Sequence, residues 1–204
     1  MMGYVLAIFG AYLLGCSNMA TYLAKLKKVD LSLGSGNPGT SNATLLMGWW
    51  SGILVGIHDI GKGALAVLLA ELIFPEMPYI GATAGVACVM GHIFPVFMKF
   101  RGGKGFASYI GMVLMLNWKF ALIILAAVVI VTVISDYIVL GTVTMVVATP
   151  VAMGLMNHGV ILAAILCVAT GVILYKHREN YKRIWKGTEI GLSIMFQKDR
   201  RVKE

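Results

Sequence analysis

The chain has 204 residues, of which 59% are hydrophobic and only 13% charged, with a mean hydropathy of +0.85. Soluble domains are about 45–50% apolar, so a soluble domain, a disordered chain and a nucleic-acid module are all excluded, and three cysteines are too few for a disulfide scaffold. What remains is an all-α integral membrane protein, a single membrane-embedded domain over residues 1–204 with 186–204 as a basic tail.

Cys16, Cys88 and Cys167 all fall in apolar stretches, where a thiol behaves as a small hydrophobe. Neither a disulfide nor a metal site is expected from them. The net charge of +8 acquires its meaning from where the basic residues lie.

The first apolar stretch, about Gly3 to Ala24, has no basic residue before Lys25 and therefore lacks the basic start of a secretory signal. A retained helix is expected. A polar, glycine-rich segment (Lys25 to Asn42) separates it from apolar runs at Trp49 to Phe74 and Tyr79 to Met98, which are divided by the breaker Phe74-Pro75-Glu76-Met77-Pro78. A second polar segment, Lys99 to Gly105, precedes a long apolar stretch to Ile134, broken only at Asn117-Trp118-Lys119. Splitting there leaves Phe106 to Leu116 too short to cross the hydrocarbon upright, because a helix rises about 1.5 Å per residue. Beyond the turn Ser135-Asp136-Tyr137 come Ile138 to Met156 and Gly159 to Tyr175, then a basic remainder. The count is a seven-helix bundle.

An odd number of crossings places the termini on opposite sides. Fifteen of the 17 basic residues lie in the two polar segments and the tail, so the positive-inside rule predicts those three regions and the C-terminus in the cytoplasm and the N-terminus outside. Lys119, His158, Glu71 and Glu76 mark the outer side. Beyond Trp185 the tail is expected to be solvated or a headgroup anchor. No internal repeat is visible, which argues against a transporter built from inverted repeats.

Three polar clusters on that one side can serve one site. The first is Gly34-Ser35-Gly36-Asn37-Pro38-Gly39-Thr40-Ser41-Asn42, whose glycines let backbone N–H groups turn toward an anion while Ser, Thr and Asn offer neutral donors. An ordinary turn would share this composition. The second is Gly91-His92-Ile93-Phe94-Pro95 followed by Lys99-Phe100-Arg101-Gly102-Gly103-Lys104-Gly105, a loop that opens a helix and combines N–H groups, the helix dipole and an ammonium. A positive-inside charge run is the alternative, but that rule asks for no glycines. The third is Lys176-His177-Arg178-Glu179-Asn180-Tyr181; if the helix continues, His177 and Asn180 share a face at i, i+3.

Helix two also carries His58, Asp59 and Lys62. Ionisable groups at membrane depth are paired or functional, and Asp59 and Lys62, at i, i+3, either neutralise each other or contact substrate. Residues Gly56 to Lys62 approach a Walker A loop, but Gly63 stands where Ser or Thr is required, which excludes ATP binding there. Gly48, Gly52 and Gly56 form a stripe suited to close helix packing.

Taken in order, GSGNPGTSN, HDIGKG, GHIFPVFMKFRGGKG and KHREN resemble the motifs of the bacterial acyl-phosphate:glycerol-3-phosphate acyltransferase family, from about Tyr12 to Gly187. The resemblance implies a multi-pass inner-membrane enzyme, active on the cytoplasmic side. It moves a fatty acyl group from acyl-phosphate to the sn-1 hydroxyl of glycerol 3-phosphate, giving lysophosphatidic acid and phosphate, with no cofactor, metal, nucleic acid or obligate protein partner. By the same resemblance Ser35, His177 and Asn180 are catalytic. Gly34, Gly36, Asn37, Gly39, Ser41, Asn42, His92, Arg101, Gly102, Gly103, Lys104 and Gly105 bind substrate, and Glu179, Asp59 and Lys62 give structural support. An acyl-phosphate is already activated, so the enzyme has to hold two anions together, stabilise the carbonyl oxygen and assist loss of phosphate. The chain departs from the family pattern at Leu45, where an arginine is usual, at Thr40-Ser41 and at Arg101; the first departure points toward a paralogue with another acceptor. A small transporter or a lipid-binding protein for a phosphorylated ligand is the rival from a different class.

Overall fold

The computed structural model describes residues 1–194; the end of the basic tail, 195–204, and the side chains of Asn157 and His158 lie outside the described residues. Among the described residues the chain is helical, with no strand, and six helices are long and apolar enough to cross a membrane: Met2–Lys27, Trp49–Ile73, Ile80–Met98, Trp118–Ser135, Ile138–Met156 and Gly159–Lys176. Phe106–Leu116, with 11 residues, is apolar but shorter. The seven segments expected from hydropathy are thus present as six long helices and a short one. The chain falls into two compact units, Met1–Trp118 and Lys119–Glu204.

The first unit begins with α1 (Met2–Gly15) and α2 (Met19–Lys27), where the sequence suggested one uninterrupted helix. The break has a local cause. Asn18 takes an extended conformation, and its Oδ1 accepts from Thr21 N at 2.8 Å and Thr21 Oγ1 at 2.9 Å, capping α2. A short α3 (Thr40–Met47), absent from the hydropathy reading, turns into α4 (Trp49–Ile73) at Gly48, whose φ of +85° suits a residue without Cβ. Then come α5 (Ile80–Ile93), a 3₁₀ turn at Val96–Met98, and α6 (Phe106–Leu116).

Small residues let these helices approach closely. A Cβ on Gly15 would strike the Cys88 carbonyl and one on Gly91 the Tyr12 carbonyl, which locks α1 against α5; Gly63 meets the Ser108 carbonyl and Gly111 the Ile60 carbonyl, which locks α4 against α6. The outer ends are tied by Tyr4 Oη donating to the Pro78 carbonyl at 2.8 Å. Of the expected stripe, Gly52 alone is in tight contact, against Thr44 of α3; Gly56 has ordinary contacts and Gly48 none. In an 18-residue window of Ile80–Met98, 72% is buried, against 22% in that of Met2–Lys27, so α5 is the core of this unit.

The second unit holds α7 (Trp118–Ser135), α8 (Ile138–Met153), a π-helical turn at Gly154–His158, α9 (Gly159–Lys176) and α10 (Arg178–Trp185). Pro150 inside α8 has no N–H for the Val146 carbonyl, and Thr170 Oγ1 of α9 donates to that carbonyl at 2.7 Å instead. The segment after α10 is docked. Leu192 N donates to the Asp136 carbonyl at 2.8 Å, and Ser193 donates through N and Oγ to the Asp136 carboxylate at 2.8 and 2.7 Å. Residues 188–193 are therefore folded back, in contrast to the solvated tail expected beyond Trp185.

Candidate active site

Two of the three polar clusters belong to the first unit, and both meet the α1–α2 junction. Asn18 Nδ2 donates to the Pro38 carbonyl at 3.0 Å, and Thr21 Oγ1 reaches Met98 Sδ at 3.8 Å. One helix break therefore ties down both loops, and Asn18 is a residue that the sequence reading passed over. A capping signature, Asn three residues before Thr21, is the signal that marks it.

Within the first loop, buried Asn42 is the organiser. Its Oδ1 accepts from Ser35 N at 2.9 Å, and its Nδ2 donates to the Leu31 and Leu33 carbonyls at 3.0 and 3.2 Å. With those atoms engaged, Asn42 shapes the loop. Ser35, Gly34, Gly36 and Ser41 are exposed, Asn37 is half-buried, and Gly39 is the buried residue that precedes α3. Leu45 is half-buried, and its Cδ2 lies 3.0 Å from where a Gly34 Cβ would sit.

The second loop folds back on the end of α5. Gly102 N donates to the Ile93 carbonyl and Gly103 N to the His92 carbonyl, both at 3.1 Å. These two N–H groups are committed to the protein, contrary to the expectation that they face phosphate. Their glycines serve another purpose: a Cβ on Gly102 would collide with the His92 carbonyl, and one on Gly103 with His92 Nε2. The fold-back delivers half-buried Lys104 to Gly105, which starts α6 with φ +90°. Arg101 is exposed.

Beneath this loop Asp59 and Lys62 form an ion pair, one of the two readings that their spacing left open. Lys62 Nζ is 2.8 Å from Asp59 Oδ1, and both side chains are at most 2% exposed. Lys62 Nζ also donates to the Ser17 carbonyl at 2.7 Å, a carbonyl at the α1–α2 break, and lies 2.8 Å from His92 Nδ1. Three ammonium protons thus meet three acceptors, and Lys62 has none left for a ligand. On the other side of the carboxylate, His58 Nδ1 is 3.2 Å from Asp59 Oδ1, and His58 Nε2 is 2.9 Å from Ser17 Oγ. Ser, His and Asp follow one another as in a nucleophilic triad, but here the carboxylate is shared with an ammonium, which offsets the charge that would stabilise an imidazolium. The cluster is a network of buried groups that satisfy one another.

The third cluster belongs to the second unit. Helix α9 stops at Lys176 and α10 starts at Arg178; between them His177, at φ −92° and ψ 1°, interrupts the continuous helix that the i, i+3 argument assumed. His177 is buried, and its Nδ1 lies 2.8 Å from the Ile173 carbonyl. A carbonyl can only accept, so Nδ1 carries the proton, and in the neutral ring Nε2 is the acceptor nitrogen. Buried Asn180 donates through Nδ2 to Glu189 Oε1 at 2.6 Å, and Arg183 Nε donates to Glu189 Oε2 at 2.6 Å. Glu179, expected as the support, is instead about half exposed and pairs with Lys182 at 3.1 Å and Arg178 at 3.6 Å on the surface. Glu189 is the carboxylate that orients Asn180. It sits past the helix end, in chain that composition alone marks as tail.

Buried ionic and polar groups beneath glycine-rich loops, carried on apolar helices, define an all-helical integral membrane protein with built polar sites. Comparison with known proteins gives the particular kind: the chain belongs to the glycerol-3-phosphate acyltransferase family, whose model, described as "Glycerol-3-phosphate acyltransferase", matches residues 5–187. It is 34% identical to glycerol-3-phosphate acyltransferase 1 of Oceanobacillus iheyensis, covering 97% of this chain and 99% of that one, and 37% identical to the Thermoanaerobacter pseudethanolicus glycerol-3-phosphate acyltransferase, covering 91% and 93%. The fold is similar to that of PlsY (YgiH), an integral membrane glycerol 3-phosphate acyltransferase. The TM-score is 0.87 at 32% identity for its glycerol 3-phosphate form, with 93% of this chain and 95% of that chain covered. For its lysophosphatidic acid form the TM-score is 0.85 at 31% identity, with 94% and 96% covered.

Proposed function

We propose that this protein transfers a fatty acyl group from acyl-phosphate to the sn-1 hydroxyl of glycerol 3-phosphate, releasing lysophosphatidic acid and phosphate. Membership of the family and likeness to a structure in glycerol 3-phosphate and lysophosphatidic acid forms support the acceptor and product. The observation that carries the reading is the second loop: Gly102 and Gly103, too tightly packed for any side chain, fold Lys104 onto the start of α6, where an ammonium and a helix N-terminus act together on an anion.

Each residue's role follows from its chemistry. Lys104 pairs with phosphate, Ser35 and the first loop supply neutral donors, and Asn180, oriented by Glu189, donates to an oxygen. His177, protonated at Nδ1, offers Nε2 to accept or orient the acceptor's hydroxyl proton. The acyl-phosphate carbonyl is attacked by that hydroxyl, the C–O bond to phosphate breaks, and no metal or covalent intermediate is required. The chain acts as one acyltransferase domain of seven helices in the inner membrane, with the N-terminus outside and both loops and the C-terminus in the cytoplasm, where 15 of the 17 basic residues lie.

Purified protein in lipid vesicles tests this with palmitoyl-phosphate, palmitoyl-CoA and palmitoyl carrier protein offered separately with glycerol 3-phosphate. Lysophosphatidic acid from palmitoyl-phosphate alone is expected; product from either thioester with none from the phosphate would overturn the donor. Leu45 favours one second reading, a different phosphorylated acceptor, because it puts an alkyl chain beside the first loop where the family usually has an arginine. Turnover with another polyol phosphate but not glycerol 3-phosphate would select it.

A further inference from the structure

Lys62 is an ammonium paired with Asp59, so it can only donate, and its Nζ lies 2.8 Å from His92 Nδ1. Two donors cannot share that distance, so Nδ1 of His92 is the ring's bare nitrogen and accepts from Lys62. The Asp59 carboxylate oxygen, at 3.5 Å from the same nitrogen, is too far to claim a proton in competition. The proton of the neutral imidazole therefore sits on Nε2, the atom a Gly103 Cβ would strike, on the edge of the ring that faces the Gly-Gly-Lys-Gly loop. Among the described residues no acceptor is bonded to Nε2, although His92 is 4% exposed. An N–H at the loop-facing edge of a nearly buried ring has a ligand oxygen as its natural partner.

We propose that His92 donates its Nε2–H to the phosphate bound at this loop and that Lys62 is the positioning residue that holds it in that tautomer. The assignment rests on the loop being the substrate site. His92 and His177 then have opposite parts: His177, protonated at Nδ1, has Nε2 as its acceptor nitrogen, and His92 has a protonated Nε2 that donates. Lys62, whose three protons are all engaged, contributes to turnover through His92 without touching substrate.

Long-range proton–nitrogen correlation spectra of full-length protein labelled at histidine nitrogens test the tautomer directly, with His92 assigned by the signals missing from His92→Gln. The expected spectrum has a pyridine-type Nδ1 and a pyrrole-type Nε2, with the Nε2 signals shifting on addition of glycerol 3-phosphate or inorganic phosphate. A protonated Nδ1, or signals that neither anion moves, overturns the proposal. In parallel, His92→Gln, which keeps a donor near Nε2, should retain most of the wild-type kcat/KM, and His92→Phe should lose it by roughly 10- to 100-fold. Equal losses in both, at equal melting temperature, contradict the donor role. Lys62→Met should move the His92 proton toward Nδ1 and raise the KM for glycerol 3-phosphate; an unchanged tautomer contradicts Lys62 as its positioner. If Lys62→Met does not fold, the wild-type spectrum and the His92 pair decide alone. A shift of Nε2 by inorganic phosphate in a protein that turns over no acyl-phosphate would refute the proposed reaction and leave this assignment standing.

Discussion

Lys104, Lys62 and Lys182 carry the same charge and do different work. Lys182 is 64% exposed and pairs with Glu179 on the surface; Lys62 is saturated by Asp59, Ser17 and His92; Lys104 follows the tight glycines. Lys104→Ala should lower turnover by about 10² or more, the usual cost of a pre-placed charge at a developing anion, and Lys182→Ala should leave turnover unchanged. Steady-state kinetics on the two variants check this, and equal effects would reduce Lys104 to a topology charge. For the carboxylates the stability effects run opposite to the motif's apparent order. Glu189→Ala removes the partners of Asn180 Nδ2 and Arg183 Nε and should cost about 1–3 kcal/mol, whereas Glu179→Ala stays within about 0.5 kcal/mol as an exposed pair does. Thermal melts in detergent read both. Leu45→Arg belongs to this scale too. A guanidinium beside the first loop adds charge-assisted hydrogen bonds worth about 1.5–3 kcal/mol each before desolvation. Tighter glycerol 3-phosphate binding is expected if the acceptor is unchanged, and lower stability without tighter binding if the acceptor differs. The Asp59–Lys62 pair was one of two readings that spacing offered, because i, i+3 residues on a helix are neighbours. The contacts of His92 and Glu189 were not, because the first depends on a neighbouring helix and the second on chain folding back.

Helix positions follow hydropathy closely, and helix breaks do not. The interruption at Asn18 lies inside a run that composition reads as continuous, and the one at His177 falls just past the end of an apolar run, since one cap or one bridge-region residue barely alters an average. Glycine spacing is similarly ambiguous. Gly48, Gly52 and Gly56 form the visible stripe, yet of these only Gly52 is in tight contact, against α3, and the close approach of α4 to α6 is made at Gly63 and, through Ile60, at Gly111. Gly63→Ala should push α4 from α6 and cost about 1–3 kcal/mol as overpacking, while Gly61→Ala, with nothing within 4 Å, should be neutral or slightly stabilising; melting temperatures separate them. At the turn between α7 and α8, the Ser193 hydroxyl, with help from its N–H, holds the Asp136 carboxyl below its ordinary value. A lowered folded value means that the stabilisation is complete above the ordinary carboxylate pKa, about 4, and is lost as pH falls through the folded value. Acidification, or Asp136→Asn at neutral pH, should therefore release residues 191–193, seen as faster amide exchange at Leu192 and Ser193. Unchanged exchange in Asp136→Asn would show that the segment is held by the Leu192 N–H bond to the Asp136 carbonyl instead.

At the scale of the molecule, charge placement is the signal from which the topology is proposed, since lipid leaves few places for lysine and arginine. It predicts that single cysteines at Ser32, Lys99 and Lys182, all exposed, react only with membrane-permeant reagents in intact cells, in a background where exposed Cys167 is replaced. Labelling of any by an impermeant reagent would invert the topology.

The most direct test of the central claim is stoichiometry. Reconstituted protein given acyl-phosphate should release inorganic phosphate only when glycerol 3-phosphate is added, one for each lysophosphatidic acid formed. Saturable binding of both substrates with neither product formed would contradict it and return the chain to the carriers of phosphorylated ligands.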